Sequence, residues 1–171
     1  FYGLNEEQIA VAIAKYRERF AQQGIYENEI YPGISEMLAE LKRKGKILAI
    51  ASSKPTLFVE QILDYFDIRK YFDFVVGSNM DGTRSRKEEV VEEALRQMVS
   101  AEMIPSEKKD TVVMVGDRKF DIEGAKAQGI TSVGVSFGYA SEGELEQAGA
   151  DFTVNSVELL SAMLTLGTVQ Q

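Results

Sequence analysis

The sequence contains no cysteine and no histidine among its 171 residues. Without cysteine there is no disulfide, no thiol nucleophile and no thiolate-bound zinc. Without histidine there is no Ser-His couple, no imidazole base and no imidazole-bound metal. Any chemistry carried by this chain must use carboxylates, Lys, Arg, hydroxyls or backbone amides. A bound metal would be a hard, oxygen-liganded cation of the magnesium or calcium kind. Positive charge is also in short supply: 19 Lys and Arg stand against 27 Asp and Glu, for a net charge of -8. A surface of that sign repels phosphate backbones, so no nucleic-acid partner is expected, although a small anion in a local basic pocket is compatible with it. No apolar run approaches the roughly 18 residues of a membrane-spanning helix. No membrane partner is therefore expected, and no secretory leader is read at the start given. The lack of cysteine suits a cytoplasmic protein. Nothing in the pattern specifies an oligomeric state.

What is present is a globular composition, 44% hydrophobic and 27% charged, in a chain long enough for one domain with a sizeable core. Residues 5–22 read as an amphipathic helix capped by Asn5, with Ile9, Ile13, Tyr16 and Phe20 at helical spacing and Gly24 as its stop. A second helix, about 34–44, carries Met37, Leu38 and Leu41, and Gly45 ends it. The rhythm then alternates. Strands are expected at 47–51, 72–76, 111–115, 132–136 and 152–154. Helices are expected after Pro55 (with Leu57, Phe58, Ile62 and Leu63 inward) and over 87–99, 119–128, 142–148 and 156–164, with a polar loop over 100–110. The strands 47–51 and 111–115 are apolar on both faces, as in a parallel sheet covered by helices on both sides. In that α/β architecture ligands bind beyond the carboxyl ends of the strands. The segment 24–33 is the expected boundary between the opening helix and the alternating part.

The strand ends therefore hold the candidate residues. Strand 47–51 is followed by Ser52-Ser53-Lys54-Pro55. Serine there can cap a helix, or its hydroxyl and the neighbouring free amides can hold an anion. Strand 72–76 leads to Arg84, Arg86 and Lys87 at a helix start, where cations oppose the helix dipole. Either their long side chains reach into solvent beside Glu88 and Glu89, or Lys87 points into a site and neutralises an anion. Strand 111–115 ends in Gly116-Asp117, and Asp121 follows four residues later. Helix capping explains one such acid well. Two neighbouring carboxylates call for a cation between or beside them, either a hard divalent ion or Lys87. Strand 132–136 ends in Ser136-Phe137-Gly138-Tyr139, small enough to let another group approach.

A hydroxyl, an ammonium and an acid pair, in that order, resemble the haloacid dehalogenase superfamily of phosphohydrolases. Ser52 with Lys54-Pro55 looks like the second motif of that family and Lys87 like the third. "GDRKFD" (116–121) matches the fourth, Gly-Asp-x-x-x-Asp. The likeness covers about 47–155, and the wording "SSKP…GSNMDGTRSRK…VGDRKFD" looks most like the phosphoglycolate phosphatase branch. It implies a Rossmann-like core over 31–171, a parallel sheet with helices on both faces, and the remnant of a helical cap over 1–30. It implies Ser52, Lys87, Asp117 and Asp121 as catalytic residues and Ser52, Ser53 and Lys87 as phosphate-binding. It also implies Mg2+ at Asp117 with support from Asp121, and a small phosphorylated substrate.

The family's first motif, a strand followed by Asp-x-Asp-Gly-Thr with the nucleophile as its first Asp, has no match. "MDGT" (80–83) lacks that first Asp and follows the strand that leads to Lys87, so the nucleophile is not assigned to Asp81. The resemblance places the missing strand between 47–51 and 111–115. Together with the opening Phe1, it implies an upstream segment. The expected reaction is magnesium-dependent hydrolysis of a phosphoglycolate-like phosphomonoester through an aspartyl-phosphate in the full-length protein, the chain itself lacking the nucleophile. Another activity of the family, such as nucleotidase or phosphomutase, and a non-catalytic phosphate- or partner-binding domain are the alternatives. A receiver-like domain shares the sheet type, but it puts its acids after the first strand and its lysine after the last.

Overall fold

Asn5 and Gln8 start the first helix, α1 (Glu6–Gln22), by satisfying each other's backbone. The Gln8 N–H donates to Asn5 Oδ1 at 2.9 Å, and the Asn5 N–H donates to Gln8 Oε1 at 3.0 Å. The structure, a computed structural model, describes residues 3–106 and 111–166. Residues 107–110 of the expected loop 100–110 lie outside the described residues. The inward face expected of α1 is not buried: Ile9, Ile13 and Tyr16 are exposed, and Phe20 alone is buried. The helix is held at its C-terminal end, where Phe20 meets Phe58 edge-on at 5.3 Å and clusters with Ile25. Gly24 begins a short 3-10 turn, Gly24–Glu27. A Cβ on Gly24 would lie 2.7 Å from the Phe20 ring, so a side chain there would require that ring to shift.

From α2 (Ile34–Arg43) onward strands and helices alternate. They are β1 (Ala49–Pro55), α3 (Thr56–Tyr65), β2 (Phe74–Ser78), α4 (Lys87–Ser100), β3 (Val113–Gly116), α5 (Lys119–Gln128), β4 (Thr131–Val135), α6 (Glu144–Ala148), β5 (Phe152–Val154) and α7 (Val157–Leu166). All strand pairs are parallel, as the two-sided apolarity predicted. The element ends differ from the apolar pattern by one or two residues at most sites, because pairing partners, not apolarity, define where a ladder stops. The largest difference is β1, which runs on to Pro55, so Ser52 and Ser53 lie within the strand instead of beyond it. Proline at φ -54 and ψ 136 stands at the N-cap of α3, and the capping role open to Ser52 is not realised. Leu57, expected inward, is 53% exposed, while Phe58 and Leu63 are buried.

The strands form two sheets, β2-β1 and β3-β4-β5. Among the described residues, the edge of β1 away from β2 and the edge of β3 away from β4 have no strand partner. Helices nevertheless tie the sheets together on both faces. On one face Leu48, just before β1, and Val113 and Val115 of β3 pack on one cluster built from Met37, Leu41, Val133, Val135, Val157 and Leu160. On the other, Ala49 and Ala51 of β1 and Met114 of β3 join Val91, Leu95, Met98, Ala125 and Ile130. Successive residues of each strand thus feed opposite clusters, which is the period of two expected of strands covered on both sides. Among the described residues no helix is long and apolar enough to cross a membrane.

Candidate functional site

The site grows from the three cations that open α4. Their competition with the helix dipole is resolved residue by residue. Arg84 folds back on its own loop, donating to the Gly77 carbonyl at 3.1 Å and to Asn79 Oδ1 at 3.0 Å. Arg86 pairs with Glu88 at the surface. Lys87 alone turns inward, as the sharper of the two sequence readings required. Its Nζ donates to the Ala51 carbonyl of β1 at 2.9 Å and lies 2.9 Å from Asp121 Oδ1. The side chains of Lys87 and Asp121 are 14% and 9% exposed, so water screens this pair far less than a surface one.

Asp121 is the third residue of α5. Its second oxygen, Oδ2, accepts the N–H of Arg118, the residue at the helix N-cap, at 3.0 Å. Both carboxylate oxygens are therefore engaged, one by an ammonium and one by a helix-start amide. This contact is close-packed: a Cβ on Gly116 would lie 2.1 Å from Asp121 Cβ. Gly124, one turn further along α5, faces Lys87, whose Cγ would lie 2.8 Å from an added Cβ.

Asp117 takes a different partner. Its Oδ2 accepts the Tyr139 N–H at 2.9 Å, in the loop after β4. Gly138 makes this approach feasible, since a Cβ there would lie 2.4 Å from Asp117 Cβ. The small loop residues singled out in the sequence do admit a neighbouring group, and that group is Asp117. Ser52 Oγ accepts the Lys54 N–H at 3.1 Å, and Ser53 is exposed. Lys87 and Asp121 are thus in contact beside Ala51, the residue before Ser52. Among the described residues no hydrogen bond or ion pair joins Ser52, Ser53 or Asp117 to that couple. Asp81 is engaged in a local turn, its Oδ1 accepting the Thr83 N–H at 2.9 Å and the Thr83 hydroxyl at 2.6 Å.

A hard cation needs oxygen ligands. Among the described residues no group of three or more carboxylates converges to supply them. Asp117 fits as a single protein ligand, because its hydrogen bond to Tyr139 uses Oδ2 and leaves Oδ1 without a protein partner among the described residues. Asp121 stands behind it with both oxygens committed. Waters and a further acid would complete such a shell.

Three supports escaped the sequence reading. The Tyr139 amide leaves no side-chain signal. Gly124 could have been noticed as a glycine inside a helix, where it costs stability unless something must approach closely. Glu144 belongs to no motif of the sequence. Yet its carboxylate accepts the Lys119 N–H at 2.9 Å, the Arg118 guanidinium at 2.8 Å and the Ser141 N–H at 3.2 Å. The Lys119 amide first, then Arg118 and the Ser141 amide, lower its pKa from 4.5 to about 2. Glu144 thereby fastens α6 to the start of α5, the turn that presents Asp117 and Asp121.

The chain is similar in sequence and in fold to known proteins. A 5'-nucleotidase of Pseudomonas aeruginosa is 38% identical over 144 residues, covering 84% of this chain and 62% of that protein. The chain thus spans about six-tenths of the length of that relative. A phosphoglycolate phosphatase of Vibrio parahaemolyticus is 32% identical over 161 residues, covering 94% of this chain and 68% of that protein. Among solved structures, one described as a predicted phosphatase from Clostridium acetobutylicum superposes with a TM-score of 0.85 at 41% identity, covering 95% of this chain and 72% of that one. Residues 2–135 match the model of the family described as haloacid dehalogenase-like hydrolase. With the ordered strand-end motifs in place, the chain belongs to the haloacid dehalogenase-like hydrolases.

Proposed function

We propose that this chain is the phosphate- and metal-holding part of a magnesium-dependent phosphatase acting on a small, phosphoglycolate-like phosphomonoester. The observation that carries the reading is Lys87. It bridges the Ala51 carbonyl of β1, in one sheet, and Asp121 of α5, the helix that follows β3 of the other sheet. The names of two relatives, a phosphoglycolate phosphatase and a 5'-nucleotidase, support phosphomonoester chemistry.

In this reading Asp117 is the chain's metal ligand. Asp121 supports it by holding Lys87 and the Arg118 amide. Lys87 balances charge on the phosphoryl group, and the Ser52 hydroxyl with the Ser52 and Ser53 amides binds its oxygens. Magnesium, when bound, offsets the repulsion between an attacking carboxylate and the anionic substrate. That carboxylate lies on a strand between β1 and β3, outside the residues of this chain, and forms the aspartyl-phosphate that water then releases. The unpartnered edges of β1 and β3 are the support for this strand. Residues 1–30 belong to a helical cap and 31–171 to the core, and the absence of cysteine accords with a cytoplasmic location.

The test uses the full-length protein and the hydrolysis of p-nitrophenyl phosphate with and without magnesium. Asp117→Asn and Lys87→Ala are each expected to lower turnover several hundred-fold, the effect of about 3 kcal/mol typical of one preorganised charge-stabilising group. Unchanged turnover in either variant, or turnover independent of magnesium, overturns the reading.

A further inference from the structure

A cleft of about 310 Å³ opens between α1, the end of β1 and α3. Tyr16, Arg17 and Phe20 line it from α1, Ser53 and Lys54 from β1, and Phe58 from α3. Its size lies at the small end of ligand pockets, and its walls combine aromatic rings with a few polar groups, as such pockets do. Its charge is out of keeping with the rest of the molecule. In a chain of net charge -8 it holds two cations and no acid.

Among the described residues neither cation is spent on a carboxylate. Lys54 is half-buried, and its Nζ sits 4.0 Å above the centre of the Phe20 ring, with no ion-pair partner among the described residues. Burial lowers its pKa, and no neighbouring acid opposes that. Arg17 gives one nitrogen, Nη1, to the Met80 carbonyl at 2.7 Å. That bond anchors α1 over the turn after β2. No carboxylate takes its remaining donors among the described residues. A half-buried ammonium without a counter-ion is costly, and a bound anion would relieve it.

The cleft also lies next to the phosphoryl site. Lys54 is three residues beyond Ala51, whose carbonyl holds Lys87, a separation of roughly 10 Å along an extended strand. Long, flexible Lys and Arg side chains can reach along a separation of that order.

We infer that Lys54 and Arg17 are specificity-determining residues that receive a second anionic group, such as a carboxylate, carried by a small phosphomonoester whose phosphate lies at Lys87. This rests on the phosphatase reading for the identity of the phosphate site. It selects among substrates within that reading, favouring a compact molecule charged at both ends over a phosphate ester with a neutral body.

The experiment is calorimetric titration of the full-length protein without added magnesium, using 2-phosphoglycolate and ethyl phosphate as probes. The wild type is expected to bind 2-phosphoglycolate roughly ten- to hundred-fold more tightly, the ratio that charge-assisted hydrogen bonds supply. Lys54→Met and Arg17→Gln each shrink that ratio, whereas Lys54→Arg retains it. Because the readout is a ratio within each protein, a general loss of affinity does not imitate the effect. Equal affinities in the wild type, or a ratio untouched by both Lys54→Met and Arg17→Gln, overturn the inference. Hydrolysis of p-nitrophenyl phosphate reports on the phosphatase reading alone. A preserved preference with no hydrolysis upholds the cleft and rejects the catalysis.

Discussion

At the scale of single residues, the site depends on close approach. Gly116 has room for no side chain, because a Cβ would lie within 2.1 Å of Asp121. Gly116→Ala is therefore expected to destabilise the chain by about 2 kcal/mol through overpacking, measured by urea unfolding. A change under a few tenths would show that α5 moves away freely. Lys87 and Asp121 form the other sensitive contact. Lys87→Met removes the charge and leaves a buried carboxylate without its partner, a loss of about 3 kcal/mol. The double variant Lys87→Met, Asp121→Leu should recover part of that loss in the same assay. The residues of this pair were legible in the sequence because their types and spacing were unusual: a lysine at the wrong end of a helix and two acids at one strand end. Their partners were not legible. The Tyr139 amide and the Ala51 carbonyl are backbone groups, identical at every position until the fold brings one of them near a side chain.

Single elements answer to their surroundings as much as to their own pattern. The periodicity of α1 predicted a buried stripe, and its capping residues formed as expected, yet Ile9, Ile13 and Tyr16 face outward. An apolar stripe at helical spacing states which face could be buried, and a neighbour decides whether it is. In this chain Ile13→Gln is expected to change stability by less than about 0.5 kcal/mol. Phe20→Ala, which empties the buried contact of the helix, should cost about 3 kcal/mol. Thermal unfolding of the two variants distinguishes these cases, and equal losses would mean that the outer face of α1 is covered after all. The junction of α5 and α6 has a pH signature. Glu144 is lowered from 4.5 to about 2, so its contribution is fully present above pH 4.5 and disappears as the pH falls toward 2. The stability gap between wild type and Glu144→Gln should accordingly narrow across that window in urea unfolding, and a gap that stays constant would rule out the assignment.

At the scale of the whole molecule, the two sheets meet through the helices that cover both of them. Two apolar strand edges lie between helices that cover both faces, and neither edge has a strand partner among the described residues. Unpaired backbone groups in such a position favour strand addition. Amide exchange in β1 and β3 is expected to be at least about a hundred-fold faster in the 171-residue chain than in a longer form that carries a strand for this place. Equal protection in the two would show that these edges do not take up a further strand. The sequence by itself determined the elements, their parallel pairing and the residue types of the site. Periodicity, two-sided apolarity and caps are local, and each can be read within a few residues. Only the tertiary structure decided that β1 extends through Ser52 and Ser53, that Lys87 alone of three cations turns inward, and that Asp117 and Asp121 take separate partners. It also decided that Arg17 and Lys54, far apart in the chain, line one cleft with Phe20 and Phe58. Those outcomes depend on which groups distant in the chain become neighbours. A carboxylate chooses between an amide, an ammonium and water only after the packing has set what lies within 3 Å of it.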